Sequence, residues 1–304
     1  MTEEKNTLIY IIGCGYLGRK LLHELLERNL ALADNITALV RTQSSRQLCA
    51  HSGVHSIAYD MDDPDKPLPE TLTLDRSVIY YFAPPPPQGE KDSRAHNFLK
   101  QLSPARPSKI VLISTTGVYG NCHGQWVNEN TPLNPSVKRA RRRVDAEQQF
   151  QHYCQTFQIP LVILRVSGIY GPGKLPLKRI KAQTPIVREQ DSPFSNRIHA
   201  DDLIEICLQA GLSSEIKGIF NCSDGHPSTM YDYFIKVARA SHLPEPPGIT
   251  LQQAKTQLSA GMLSYMEESR RIDNQKLLST FKLSLKYPDL EKGLLACDCF
   301  SNSS

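Results

Sequence analysis

The chain has 304 residues, 40% hydrophobic and 22% charged, long enough to bury a core without disulfide or metal staples. Its 35 Lys and Arg against 31 Asp and Glu leave a formal charge of +4, too mild to argue for a nucleic-acid or membrane surface. No apolar run approaches the ~18 residues of a transmembrane helix, the opening MTEEKN is acidic and polar, unlike a secretory signal, and the 8 scattered cysteines form no CxxC pair; a cytoplasmic protein with reduced, mostly buried thiols is the expectation.

In chain order, Leu8 to Ile12 reads as a buried strand ended by Gly13, and Leu17, Leu21, Leu22, Leu25 and Leu26 then recur at helical spacing. Between them lies Gly13-Cys14-Gly15-Tyr16-Leu17-Gly18, the pattern G-x-G-x-x-G. The first glycine permits the turn, the second lets backbone approach a pyrophosphate, and the third lets helix and strand pack closely. Free N–H groups at the helix start then face the anion. A second strand, Ile36 to Val40, completes the strand–turn–helix–strand context, so these six residues are expected to bind a dinucleotide. After that strand come Arg41, Thr42, Ser44, Ser45 and Arg46 rather than an acid, and Asp34 precedes the strand. A carboxylate would repel a 2′-phosphate and a guanidinium would bind it, so NADP is favoured over NAD. The alternative is that Arg41 and Arg46 are solvated loop charges.

Further strands are expected at Ser56 to Asp60, ending in an acid, at Val78 to Phe82, and at Lys109 to Ser114. Ala83 and the prolines 84–87 leave the sheet at its carboxyl edge. The spacing of Val137, Ala140, Val144 and Tyr153 predicts a helix over 136–157, followed by a strand from Leu161 to Val166. Strand–helix alternation predicts an α/β fold, a doubly wound parallel (Rossmann) sheet, with a smaller C-terminal substrate-binding part. The expected division is 1–170 for the dinucleotide-binding core and 171–304 for the substrate part, with one strand near 218–222 returning to the core. Ligands in such sheets bind outside the carboxyl ends of the strands, which gathers the elbow, Arg41, Thr42, Asp60, Phe82, Ala83, Thr115, and Val166, Ser167, Gly168 and Ile169.

Several further stretches match in order: ISTTGVYG at 113–120, NENTPLNP at 128–135, LRVSGIYGPG at 164–173, NRIHADDL at 196–203 and FNCSDGHP at 220–227. With IIGCGYLG at 11–18 and Asp60, they make residues 8–230 resemble the extended short-chain dehydrogenase/reductases, the superfamily of NAD-dependent epimerases and dehydratases. SRRIDNQKLL at 269–278 and LKYPDLEKGL at 285–294 resemble an atypical branch of it. The resemblance implies a Ser/Thr after strand five that hydrogen-bonds the reacting oxygen, here Thr115. It also implies a helix reading P-x-x-x-Y-x-x-x-K-x-x-x-E, whose Tyr moves the proton and whose Lys lowers the Tyr pKa and holds the nicotinamide ribose. This sequence reads Pro135, Arg139, Arg143, Glu147. Arginine stays protonated, so neither residue is a useful general base. Arg143 is expected to meet the cofactor and Arg139 an anionic substrate group or a carbonyl; a salt-bridged face and a nucleic-acid patch are the weaker readings of the basic run 138–143, in which Lys138 and Arg142 form a second stripe.

The resemblance also implies R-[DE]-aromatic-[IV]-H before the last core helix, with the Arg on a substrate diphosphate. Ser195 stands at that Arg position and Arg197 at the aromatic one, which weakens the case for a sugar-nucleotide substrate. Arg197 and Trp126 are the candidate substrate contacts, with packing as the alternative for Trp126. His199 reads as structural, Asp201 and Asp202 as caps of a helix starting at Leu203, and no spacing suggests a metal site. The basic stretch 171–190 is either substrate-attracting or a solvated loop. Two functions compete: an NADP-dependent oxidoreductase or epimerase/dehydratase-like enzyme on a polar, sugar-derived or anionic small molecule, with a non-standard active site, and a non-catalytic NADP(H)-binding sensor or scaffold. Nucleic acid and membrane are not expected partners, and monomer and homodimer both remain open.

Overall fold

The computed structural model describes residues 7–70, 72–263 and 266–297. The amino-terminal part runs β1 (Ile9–Ile12), α1 (Tyr16–Glu27), β2 (Ile36–Val40), α2 (Gln43–His51), β3 (His55–Ala58), β4 (Val78–Tyr81), α3 (Ser93–Leu102) and β5 (Lys109–Thr115). The middle continues with β6 (Trp126–Val127), α4 (Lys138–Phe157), β7 (Leu161–Val166), β8 (Gly168–Tyr170), α5 (Leu177–Lys181), β9 (Ile186–Val187), β10 (Phe194–Ser195), β11 (Arg197–His199) and α6 (Ala200–Leu212). Then come β12 (Gly218–Cys222), β13 (Ser228–Thr229), α7 (Met230–Ala240), β14 (Gly248–Ile249) and β15 (Arg271–Ile272), with short helices between and after them.

Seven strands form one sheet in the order β12-β7-β5-β4-β1-β2-β3. The pairings from β3 across to β5 are parallel, with Ile9 opposite both Ile36 and Val78. A parallel sheet covered on both faces needs apolar residues at successive positions rather than alternate ones. That is why Ile9–Ile12 and Val78–Tyr81 are buried at every residue. The order reverses between β1 and β4, so the turn after β1 opens beside the end of β4, where such sheets bind ligands. The third strand is shorter than the sequence suggests: it ends at Ala58, and Asp60 lies in the following turn.

The chain divides into two compact units. The first takes the chain up to Thr115, then Lys138–Arg165 and Ile204–Phe220. Its core packs Tyr81 against Phe98 and Phe150, with ring centroids 5.3 and 4.8 Å apart. The second takes Thr116–Val137, Val166–Leu203 and the chain from Asn221 onward. It pairs β6 with β15, β8 with β11, β9 with β14 and β10 with β13, around a core that includes Tyr170, Ile186, Tyr233, Phe234 and Leu294. All described cysteines are free thiols, and only Cys122 among them is not buried; Cys299 lies outside the described residues. Among the described residues no helix is long and apolar enough to cross a membrane, and no group of three or more His, Cys, Asp or Glu could hold a metal ion.

Candidate functional site

The turn after β1 is tied down by main chain. Gly13 N–H donates to Leu39 O at 2.9 Å, and Gly13 adopts φ +91°. A Cβ there would lie 2.7 Å from Ala83 N, so only glycine lets the turn touch the end of β4. At Gly18 a Cβ would lie 3.1 Å from Gly13 O and Ile11 Cγ2, which sets how closely α1 packs on β1. Gly15 differs from both: it is exposed, and nothing lies within 4 Å of its Cβ position. The protein itself does not require glycine at 15, but a ligand approaching that backbone would. Helix α1 starts there with no side-chain cap and no acid in its first turn, leaving its positive end for an anion. Cys14 is buried, and burial together with the Cys49 thiol pushes its own thiol upward, so it is inert packing rather than a nucleophile. Tyr16 and Leu17 are half-buried in the first turn of α1, and Phe82 is half-buried before Ala83, its N–H donating to Ile12 O at 2.8 Å.

Beyond β2, Thr42 caps α2, its hydroxyl accepting from Ser45 N–H at 3.2 Å. Arg41 is exposed and reaches Asp62 at 3.3 Å. Asp62 is also held by both donors of the buried Arg94, Nε to Oδ1 and Nη2 to Oδ2, each at 2.6 Å. The Arg94 hydrogen bonds are the main reason the Asp62 carboxyl stays below the usual carboxylate range. The Asp60 carboxylate accepts from Asp62 N–H at 3.1 Å, so it shapes the turn that presents Asp62. Arg41 and Arg94 thus share the Asp62 carboxylate, with the Asp60 carboxylate in the same turn. Asp62 and Arg94 are absent from the residues singled out in the sequence. The acidic run Asp60-Met61-Asp62-Asp63 was a signal for the first, and nothing local pointed to the second.

Helix α4 is fastened to the sheet by a buried brace. Ser114 Oγ donates to Glu147 Oε1, and Arg165 donates to the same carboxylate through Nε at 3.2 Å and Nη2 at 2.8 Å. One turn earlier Arg143 is half-buried, its Nη1 donating to Ala83 O at 3.3 Å. Burial works against its charge, while Asp92, Tyr81 and Glu147 support it. The structure thus brings Arg143 to the carbonyl of the residue that Gly13 touches. Arg139 is half-buried one further turn back, and Thr115 half-buried at the end of β5. Arg142 is buried, donating to Gly89 O at 2.6 Å, while Lys138 is exposed and the exposed Arg141 pairs with Glu90 at 2.9 Å.

The second unit holds the other candidates. Val166 and Ser167 are buried and Gly168 is exposed; Ser167 N–H donates to Cys222 O at 3.0 Å. Trp126 sits in β6 and is 52% exposed, with the Arg271 guanidinium 5.4 Å from its ring centroid. Arg197 is buried opposite Gly168 in the β8–β11 pair. Tyr119 donates to Asn221 and Tyr170 to Asp289 O, so both phenols serve packing. His199 is buried against Tyr287 and Tyr170, ring centroids 4.0 and 5.2 Å away, and its Nδ1 accepts from Asp201 N–H at 3.2 Å. Helix α6 begins at Ala200 rather than Leu203, which puts Asp201 and Asp202 in its first turn. Asp202 does not cap it: its carboxylate accepts from the backbone of Lys286 at 2.7 Å and Tyr287 at 3.0 Å.

A doubly wound sheet with an uncapped, glycine-lined helix start at its switch point defines the Rossmann class of dinucleotide-binding proteins. The sequence profile of the NAD dependent epimerase/dehydratase family matches residues 9–223, and the chain belongs to that family. Human dTDP-D-glucose 4,6-dehydratase is 33% identical over 135 residues, a match covering 41% of this chain and only 39% of the dehydratase. A putative UDP-glucose 4-epimerase of Methanocaldococcus jannaschii is 24% identical over 224 residues, 65% of this chain and 71% of that protein. Among solved structures, a conserved protein of unknown function from Silicibacter pomeroyi superposes with a TM-score of 0.82 at 25% identity, covering 96% of this chain and 98% of its own. The UDP-glucose 4-epimerase of Thermotoga maritima does so at 0.77 with 16% identity, covering 97% and 98%, a likeness of fold.

Proposed function

We propose that this chain binds NADP(H) and acts as an oxidoreductase or epimerase/dehydratase-like enzyme on a polar, sugar-derived or anionic substrate, with a non-standard active site. The observation that carries the reading is the elbow: an exposed Gly15 with open space at its Cβ position, before an uncapped helix start. The residues fit a dinucleotide. Gly13 to Gly18 would take the pyrophosphate, Arg41 and Thr42 the adenosine ribose end, and Asp60, Phe82 and Ala83 the adenine side and the strand edge. When bound, the nicotinamide supplies a hydride acceptor or donor.

NADP is preferred over NAD because Arg94 already satisfies Asp62, so Arg41 keeps a charge to give to a 2′-phosphate. Arg143 would hydrogen-bond the ribose through its donor fork, and Thr115 would donate to the reacting oxygen. Arg139 would hold an anionic substrate group or polarise a carbonyl. A guanidinium is no useful general base, so proton transfer passes through solvent or substrate. The substitution of Tyr and Lys by Arg139 and Arg143 equally favours a second reading, a sensor or scaffold that binds NADP(H) without turnover. NADPH oxidation measured across carbonyl compounds and sugar nucleotides separates them. Substrate-dependent oxidation supports the enzyme, and tight binding with no oxidation of any compound supports the sensor.

A further inference from the structure

We infer that the basic run of α4 is a clasp: Arg142, with Arg143 and the buried Arg94, holds the loop 83–92 closed beside the glycine elbow, and coenzyme binding is coupled to that closure. The inference rests on the proposed coenzyme site and names how that same site is regulated. Every residue it uses belongs to the first unit.

The loop joins β4 to α3 and has little main chain to hold it. Its prolines 84–87 carry no N–H. Among the described residues, 84–91 make no hydrogen bond from main chain to main chain. The loop's carbonyls go to arginine side chains instead. Ala83 O accepts from Arg143 Nη1 at 3.3 Å, Pro84 O from Arg94 Nη1 at 3.0 Å, and Gly89 O from Arg142 Nη1 at 2.6 Å. At its far end Asp92 N–H donates to Asp145 at 2.7 Å, and Asp92 O accepts from Gln149 at 3.2 Å. Its near end is Ala83, the residue against which Gly13 packs.

Between these ends residues 87–91 are exposed, and two side chains of α4 reach them. Arg141 meets Glu90 at 2.9 Å in an exposed pair, which contributes little. Arg142 is 7% exposed, so its bond to Gly89 O is both charge-assisted and shielded from water. Without it the middle of the loop keeps only the surface pair. A loop already ordered against the elbow spares the coenzyme the cost of ordering it. A coenzyme seated on the elbow in turn favours the closed loop. A weakened clasp lowers the fraction of binding-competent molecules, so NADPH and NADH lose affinity by the same factor. A loss at Arg41 is felt by NADPH alone.

Tryptic cleavage after the exposed Lys91 reads loop opening in the full chain. Cleavage after Lys217, exposed in the same unit but outside the loop, reads unfolding at large. Arg142→Met is expected to speed cleavage after Lys91 about tenfold, the effect of one shielded charge-assisted hydrogen bond, and to leave Lys217 unchanged. It should also raise the Kd of NADPH and of NADH by an equal factor of about three or more. Arg141→Met should alter neither reading by more than about twofold. Arg142→Lys still donates to Gly89 O and should recover most of the loss. In the wild type, saturating NADPH should slow cleavage after Lys91. If Arg142→Met does not fold, Arg142→Lys and the NADPH effect on the wild type carry the comparison. Unchanged cleavage after Lys91 in Arg142→Met, a loss of NADPH affinity alone, or no protection by NADPH overturns the inference. A wild-type chain that binds neither coenzyme removes the proposed function and the coupling with it. One that binds NADPH without protecting Lys91 removes only the clasp.

Discussion

Replacing Arg41 with Ala tests the assignment of cofactor preference most sharply. Arg41 is 57% exposed along its side chain and shares Asp62 with Arg94. Because Arg94 meets both carboxylate oxygens, removing Arg41 leaves Asp62 satisfied and the fold intact. What is lost is one charge-assisted contact to a 2′-phosphate. Such contacts contribute about 1.5–3 kcal/mol when shielded, and exposure and salt reduce this to about 0.5–1 kcal/mol. NADPH affinity should therefore fall about two- to fivefold while NADH affinity is unchanged. Arg41→Glu should go further, since a carboxylate would face the phosphate beside Asp62. Fluorescence titration with each coenzyme at low and moderate salt is the assay, and the NADPH loss should shrink as salt rises. Equal losses for both coenzymes, or no loss for NADPH, would refute the reasoning.

Other variants probe other parts of the structure. Glu147→Ala leaves the buried Arg165 without its carboxylate, and removing one partner of a buried pair costs about 3–5 kcal/mol; chemical denaturation should show a loss of that order, with Glu147→Gln losing less. A cost below about 1 kcal/mol would mean that the brace does not hold α4. The Asp224 carboxyl is pushed up to about 7 by burial, so the folded state keeps a proton that the unfolded chain releases near pH ~4. Stability from this group is full at low pH and declines as pH rises through about 7. Asp224→Asn should flatten the fall in unfolding midpoint between acidic and mildly alkaline buffers, and an unchanged slope would show that the carboxyl is ionised in the native state.

Much of the first unit was legible because its signals are local. The apolar run Ile9–Ile12, the glycine spacing and the helical leucines each report on a few consecutive residues, and the parallel sheet follows from their repetition. The family resemblance rested on short motifs whose order was visible in the chain. Pairings over distance were not legible. Arg94 reaches Asp62 across 32 positions, and Asp202 accepts from backbone 84 and 85 residues away, where local reading saw only a cap. Arg142 looked like part of an exposed basic stripe because charge runs ordinarily face water, yet Gly89 O offers it a buried acceptor. The paired strands of the second unit are two or three residues long, too short to show any periodicity.

The most direct measurement of the central claim is calorimetric titration of the purified, reduced 304-residue chain with NADPH and with NADH. Saturable binding of both, with NADPH the tighter, is the predicted result. No detectable heat of binding from either coenzyme under conditions where the protein is folded would contradict the account.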